Sequence, residues 1–204
     1  MKIRIRKPLM AKSKPLTLPL NLPSNFPSNF PLNLPLPAWA SIREGDLLTC
    51  DATYIVHQTN CVTECGKGLS KALFEKFPHA NVYAQRTTRS VPGTVVILGD
   101  GETERFVVNL MGQVFPGGPK EYESKEKRER WFCSGLERLA SVILKTPQDT
   151  TIAFPFRIGC GLAKGGWKRY KKMIDQFADI VKPRVVYVVK PPSSKSVKKR
   201  KVYD

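Results

Sequence analysis

In two stretches of the sequence, an apolar run is followed by a glycine-rich loop and then by a helical pattern. The first of these loops contains Gly66, Lys67 and Gly68 and enters a helix at Leu69. Glycine lets the backbone turn tightly and brings N–H groups close to a ligand, and a helix N-terminus adds a partial positive charge. This loop therefore predicts a turn that binds an anion.

The second loop comes about 90 residues later, after an apolar run at residues 151–155. It consists of Ile158, Gly159, Cys160, Gly161, Leu162 and Ala163. Two such loops at neighbouring strand ends would hold a diphosphate from both sides, where α/β sheets commonly bind ligands. A dinucleotide-binding Rossmann turn fits less well, because Lys71 stands where its third glycine would be.

The residues around the loops predict strands that alternate with helices. Short runs rich in β-branched and aromatic residues indicate strands. We expect them at residues 54–58, 94–98, 106–111, 151–155 and 184–189. The second and third are joined by a Gly-Asp-Gly-Glu segment, which is typical of a hairpin.

Helical periodicity supplies the rest of the pattern. We expect helices at residues 69–77, between residues 122 and 144, and around residues 173–181. The middle one has apolar residues at i, i+4, i+7 and i+11, so its charged opposite face is expected in water. Alternating strands and helices predict an α/β domain with a mixed, mostly parallel sheet and helices on both faces.

The loops and their surroundings resemble the macrodomain family over about residues 42–190. The resemblance rests on Gly45-Asp46-Leu47-Leu48-Thr49, on a strand that ends in Asn60 before Gly-x-Gly-Leu, and on the second loop. It favours the branch of ADP-ribose-1″-phosphate phosphatases, terminal ADP-ribose glycohydrolases and antitoxins that reverse DNA ADP-ribosylation. The implied fold is a three-layer α/β/α macrodomain.

The resemblance also implies roles for individual residues. Asp46 would accept a hydrogen bond from the adenine amine, and Asn60 would reach the distal ribose. The amides of residues 66–69 and 159–163 would hold the diphosphate. Each role has a structural alternative, since Asp46 and Asn60 are also common turn residues and Lys67 could be a solvated cation.

His57 is the candidate catalytic residue, because the phosphatase-like relatives carry a histidine at the matching position. Histidine suits proton transfer near neutral pH. Two departures from the glycohydrolase pattern count against a lysine-nucleophile mechanism. Gln113 stands where those enzymes carry the lysine, and Ala163 stands where they carry an aspartate.

These residues leave three functions open. The leading one is a hydrolase that removes phosphate or a linked group from the distal ribose of ADP-ribose. The alternatives are a non-catalytic ADP-ribose reader and an enzyme that removes ADP-ribose from protein or nucleic acid. The expected partners are ADP-ribose, its derivatives and ADP-ribosylated macromolecules, with no cofactor and a monomeric chain.

Charge is concentrated at the ends of the 204-residue chain, whose net charge is +17. Residues 42–190 hold 23 basic and 16 acidic side chains, whereas residues 1–41 hold six basic and no acidic ones. We expect disordered extensions at residues 1–41, which are also proline-rich, and at residues 191–204. Lys198, Lys199, Arg200 and Lys201 predict a nuclear signal, so the expected location is cytoplasmic or nuclear.

The sequence gives no reason to expect a membrane span or a metal site. It contains no run of 18 apolar residues. The five cysteines are scattered and include no Cys-x-x-Cys pair, which indicates reduced thiols rather than a disulfide framework or a zinc site. The basic ends could contact nucleic acid, but they lack interleaved aromatic residues for base stacking.

Overall fold

The computed structural model describes residues 40–193. Nearly all of the expected N-terminal extension, most of the expected C-terminal tail and the predicted nuclear signal therefore lie outside the described residues. The strands are β1 Ser41–Glu44, β2 Tyr54–Asn60, β3 Val95–Leu98, β4 Phe106–Gln113, β5 Thr151–Pro155 and β6 Val185–Lys190. The helices are α1 Leu69–Lys76, α2 Lys125–Ile143 and α3 Trp167–Ile180, with a 3-10 turn at Pro78–Ala80.

The six strands form one sheet in the order β1-β6-β5-β2-β4-β3. Every neighbouring pair is parallel except β3 and β4, which pair antiparallel at one edge. The prediction of a mixed, mostly parallel sheet is thus confirmed. β2 lies in the centre of the sheet, where its residues are buried almost without exception.

Helices cover both faces of the sheet, so the domain has three layers. Alternate residues of β2 point to opposite faces. Val56 packs in a core with Phe132 of α2 and Phe177 of α3. Ile55 packs in a second core with Leu73 of α1 on the other face. Each helix thus buries one apolar stripe against the sheet, as the helical periodicity predicts.

The ends of the helices have local causes. Ser124 caps α2, since its Oγ accepts a hydrogen bond of 3.3 Å from the Lys127 amide. Pro78 follows α1 closely and cannot continue the helical hydrogen bonding. No helix in the described part of the chain is long and apolar enough to cross a membrane.

The structure differs from the expectation in two elements. β1 was not predicted, because its four residues are exposed and lack an apolar pattern, and it extends the fold to Ser41. The preceding amide of Ala40 donates to the Asp175 carboxylate at 3.0 Å. The charged face of α2 is also not wholly in water, because Arg128 is buried with only 2% of its surface exposed.

Candidate ligand-binding site

A cleft of about 680 Å³ opens at the edge of the sheet where the carboxyl ends of β5, β2 and β4 meet. It lies between the loop that follows β2 and the loop that follows β5. We call residues 61–68 the first loop and residues 156–166 the second loop. A cleft of this volume can hold a ligand of nucleotide size.

The cleft gathers most of the residues predicted to bind a ligand. Nine of the twelve line it, namely Asn60, Lys67, Gly68, Leu69, Ile158, Gly159, Gly161, Leu162 and Ala163. Asp46, Gly66, Cys160 and the predicted catalytic His57 do not. Twelve further residues complete the lining: Gln58, Thr59, Thr63, Cys65, Ser70, Tyr83, Gln113, Pro116, Gly117, Pro155, Phe156 and Arg157.

The first loop delivers the N-terminus of α1 to the cleft. Gly68 precedes the helix with a φ of 58°, a backbone conformation that favours glycine, and no side chain caps the first turn. The first amides of the helix are therefore free to bind an anion. Gly66 lies behind this turn, since a Cβ there would stand 2.9 Å from the Lys71 amide nitrogen. Its role is close packing rather than lining.

The second loop turns sharply at Gly159, which has a φ of 68°. A Cβ on Gly159 would stand 2.6 Å from both Gln58 Oε1 and Tyr170 Cε1. A Cβ on Gly161 would meet nothing within 4 Å, because that residue faces the open cleft. Cys160 points inward instead, where burial raises the pKa of its thiol to about 11.

A buried ion pair underlies both walls at one end of the cleft. The Arg128 side chain donates to the Glu123 carboxylate at 3.1 Å, to Gly117 O at 2.7 Å and to Ala163 O at 3.0 Å. It also donates to the carbonyl oxygens of Phe115 and Gly118. One guanidinium thus joins the loop that follows β4 to the second loop.

Two glutamines form the floor of the cleft. Gln58 Nε2 donates to Gln113 Oε1 at 2.9 Å, and Gln113 Nε2 donates to Phe115 O at 3.0 Å. Because the Phe115 carbonyl can only accept, the orientation of both amides follows from it. Phe115 O is therefore shared between Gln113 and Arg128, which connects the floor to the buried ion pair.

The structure places His57, the predicted catalytic residue, away from the cleft. Its side chain points to the α1 face of β2, where it is 1% exposed and meets the Phe74 ring edge-on. Its Nε2 lies 2.7 Å from Asn109 Oδ1. Burial lowers the pKa of His57 to about 4, although the hydrogen bond to Asn109 opposes this shift. His57 is therefore a neutral core residue outside the cleft.

Asn60 lines the cleft, but its side chain holds the first loop. Its Nδ2 donates to Thr63 Oγ1 at 2.8 Å and to the Tyr83 hydroxyl at 2.9 Å. Its Oδ1 accepts from the amides of Val62 and Thr63. These bonds match the turn role that the sequence left open, and they use both amide hydrogens of Asn60.

Asp46 lies at the same edge of the sheet as the cleft but follows β1, beyond β6 and β5. It is exposed, and its Oδ1 accepts a 3.0 Å hydrogen bond from the Leu48 amide. Phe156 follows β5 and lines the intervening end of the cleft, with the Lys190 ammonium 5.8 Å from its ring centroid.

The charged side chains that line the cleft are both cations. Lys67 belongs to the first loop and Arg157 to the second, and both are exposed. Among the described residues that line the cleft, none is Asp, Glu or His. The lining therefore favours an anionic ligand and offers no carboxylate or imidazole for proton transfer.

Sequence reasoning missed the floor and the buried ion pair for different reasons. Strand alternation places Gln58 and His57 on opposite faces of β2. If the sequence had shown which face adjoins the second loop, Gln58 rather than His57 would have been assigned to the cleft. Arg128 carries no comparable signal, because a basic residue on an amphipathic helix usually faces water. Only the folded structure shows that Arg128, on the charged side of α2, is buried.

Several solved structures with a similar fold are macrodomains. No family model and no curated protein matches the sequence. The macrodomain of Mycobacterium tuberculosis DarG superposes with a TM-score of 0.59 and 21% identity, over 76% of this chain and 99% of that one. The Thermus aquaticus DarG macrodomain gives 0.57 and 20%, over 76% of this chain and 98% of that one.

A third similar structure contains a ligand. Thermosipho africanus DarTG in complex with ADP-ribose superposes with a TM-score of 0.55 and 16% identity, over 78% of this chain and 43% of that one. Identities this low establish the fold alone. With its six-stranded mixed sheet between helices and a cleft at the carboxyl ends of the central strands, the chain has the macrodomain fold.

Proposed function

We propose that the chain binds ADP-ribose in the cleft between the first and second loops. The observation that carries the proposal is that the uncapped N-terminus of α1 and the glycines of the second loop meet across one cleft. Its charged lining residues are Lys67 and Arg157. Backbone amides at a helix N-terminus and two cations together suit a diphosphate.

The strand order supports one orientation of the ligand. Phe156 and Asp46 lie towards β1, whereas Gln113 and Gly117 lie on the β4 side. We place the adenine at the Phe156 end, where the Asp46 carboxylate would accept a hydrogen bond from its amine. The diphosphate then lies between the two loops and the distal ribose near Gln113. The similar Thermosipho africanus structure is itself a complex with ADP-ribose.

The cleft supports binding better than hydrolysis. General acid–base catalysis needs a side chain that exchanges a proton near the working pH. His57 is buried against Phe74 of α1 and does not line the cleft, and the described lining residues include no carboxylate or imidazole. By the family resemblance, Gln113 and Ala163 align with the positions where the glycohydrolases carry a lysine and an aspartate. We therefore propose a reader of ADP-ribose, free or attached to a macromolecule, rather than a phosphatase.

Calorimetric titration of the whole chain with ADP-ribose tests the binding proposal. We expect a dissociation constant of roughly 1 μM, which corresponds to about −8 kcal/mol, and weaker binding of AMP. The absence of heat up to high micromolar ligand would overturn the proposal. Release of free phosphate from ADP-ribose-1″-phosphate would instead favour the hydrolase, whereas the reader predicts none above the rate without protein.

A further inference from the structure

One buried cation connects the parts of the cleft that enclose its β4 end. Arg128 does not line the cleft and is 2% exposed. It nevertheless donates to Gly117 O on one wall and to Ala163 O on the other. Gly117 and Ala163 both line the cleft, and they lie 11 and 35 residues from Arg128 in the sequence.

The same cation reaches the floor of the cleft through one carbonyl. Phe115 O accepts from Arg128 Nη2 at 3.3 Å and from Gln113 Nε2 at 3.0 Å. Gln113 in turn accepts from Gln58, so the two floor amides and the guanidinium belong to one hydrogen-bond network. Such networks act as units, because the loss of one member leaves its partners unsatisfied.

Glu123 fixes the guanidinium from the other side. It is 1% exposed, and its two carboxylate oxygens accept from Arg128 Nε and from the amides of Val114 and Phe115. The amides belong to the chain that leaves β4, so Glu123 sets the course of the wall that Gly117 occupies. A buried carboxylate with these three donors keeps its charge paired.

We propose that Arg128 is the positioning residue that sets the width of the cleft at its β4 end and so determines affinity for the distal half of the ligand. The inference rests on the proposed function, since the ligand half in question is the distal ribose of ADP-ribose. Arginine is required because its planar group donates in several fixed directions. Lysine keeps the charge but has a single nitrogen, which cannot reach both walls and Glu123 together.

A comparison of ADP-ribose with AMP separates this role from general support of the fold. AMP lacks the distal half, so its binding depends on the Phe156 end of the cleft. Arg128→Lys should weaken ADP-ribose binding at least tenfold and change AMP binding by less than about threefold. Ile143→Ala is the matched control, because Ile143 is a fully buried residue at the opposite end of α2. It should lower stability without changing the ratio of the two affinities.

Calorimetry on the whole-chain variants, at a temperature where circular dichroism shows each to be folded, gives the result. An unchanged affinity ratio in Arg128→Lys would overturn the inference, as would an equal change in Ile143→Ala. If Arg128→Lys does not fold, Glu123→Gln replaces it, and the ratio of ADP-ribose to AMP affinity should change at least threefold. An unchanged ratio in that variant would likewise overturn the inference. A wild-type chain that binds neither ligand would instead overturn the proposed function itself.

Discussion

The two loops that form the cleft share a glycine-rich sequence but are held in place differently. The first loop is held mostly by residues fairly near in the sequence, namely Asn60, Tyr83 and Arg86, with one longer-range bond from the Cys61 amide to Val114 O. The second loop is fixed by residues far away in the sequence, since Gly159 packs against Gln58 and Ala163 O accepts from Arg128. A glycine-rich motif therefore indicates where a loop turns, but tertiary contacts decide its final position.

The largest effect is expected from Gly159→Ala, which breaks the packing of the second loop. The new Cβ would collide with Gln58 and Tyr170, and alanine disfavours a φ of 68°. Overpacking and backbone strain together predict a loss of about 2–5 kcal/mol in the free energy of unfolding. Urea denaturation measures this loss.

Gly161→Ala is the control for this prediction, because it lies two residues away in the same loop and faces open space. Its free energy of unfolding should stay within about 0.5 kcal/mol of the wild-type value. Equal losses in the two variants would show that Gly159 is not held by the contacts described.

The second prediction concerns how His57 makes the free energy of unfolding depend on pH, independently of ligand binding. Because the pKa of folded His57 is lowered to about 4, the unfolded chain takes up a proton below about pH 6.5 while the folded chain does not. Its contribution to stability is complete above pH 6.5 and is lost as the pH falls towards 4. Between pH 7 and pH 5 we expect this residue to account for a loss of about 2 kcal/mol.

Urea denaturation at both pH values, in wild type and His57→Gln, isolates this contribution. The variant should lose about 2 kcal/mol less than wild type over the same pH interval. ADP-ribose affinity of the folded variant at pH 7 should stay within about threefold, since His57 is buried against Phe74 and does not line the cleft. A large loss of ADP-ribose affinity in His57→Gln would show that His57 contributes to ligand binding after all.

The sequence predicted the elements of this fold better than their exposure. Strand and helix periodicity located β2 to β6 and the three helices, because apolar spacing reports which residues face a core. It could not say that His57 faces α1 while Gln58 faces the second loop. β1 was missed for a physical reason, since an exposed edge strand carries no apolar alternation.

The residues of the candidate site also divide into those that the sequence predicted and those that it did not. The glycines, Lys67 and the second loop were predicted because backbone turns and helix starts have local signatures. Arg128 and Glu123 were not, because burial of a charged pair depends on which loops fold over it. Local sequence thus predicts the glycine-rich turns that line the cleft, whereas the width of the cleft arises from long-range contacts.

The smallest expected effect comes from Asp46→Ala at the adenine end, outside both loops. Loss of an exposed acceptor for the adenine amine should weaken ADP binding by about 1–2 kcal/mol. Guanine carries an oxygen where adenine carries the amine, so wild type should prefer ADP to GDP. The variant should lose that preference if Asp46 recognises adenine. An unchanged preference would leave Asp46 only its turn contact with Leu48.

Hydrogen–deuterium exchange with and without ADP-ribose tests most directly whether the two loops together form the binding site. Bound ligand should slow amide exchange in residues 66–72, which include the first turn of α1, and in residues 157–165 of the second loop. The hairpin turn at residues 99–105 is at the far end of β3 and β4 and should exchange at the same rate. Protection confined to one loop, or found at the hairpin instead, would contradict a ligand held between the two loops.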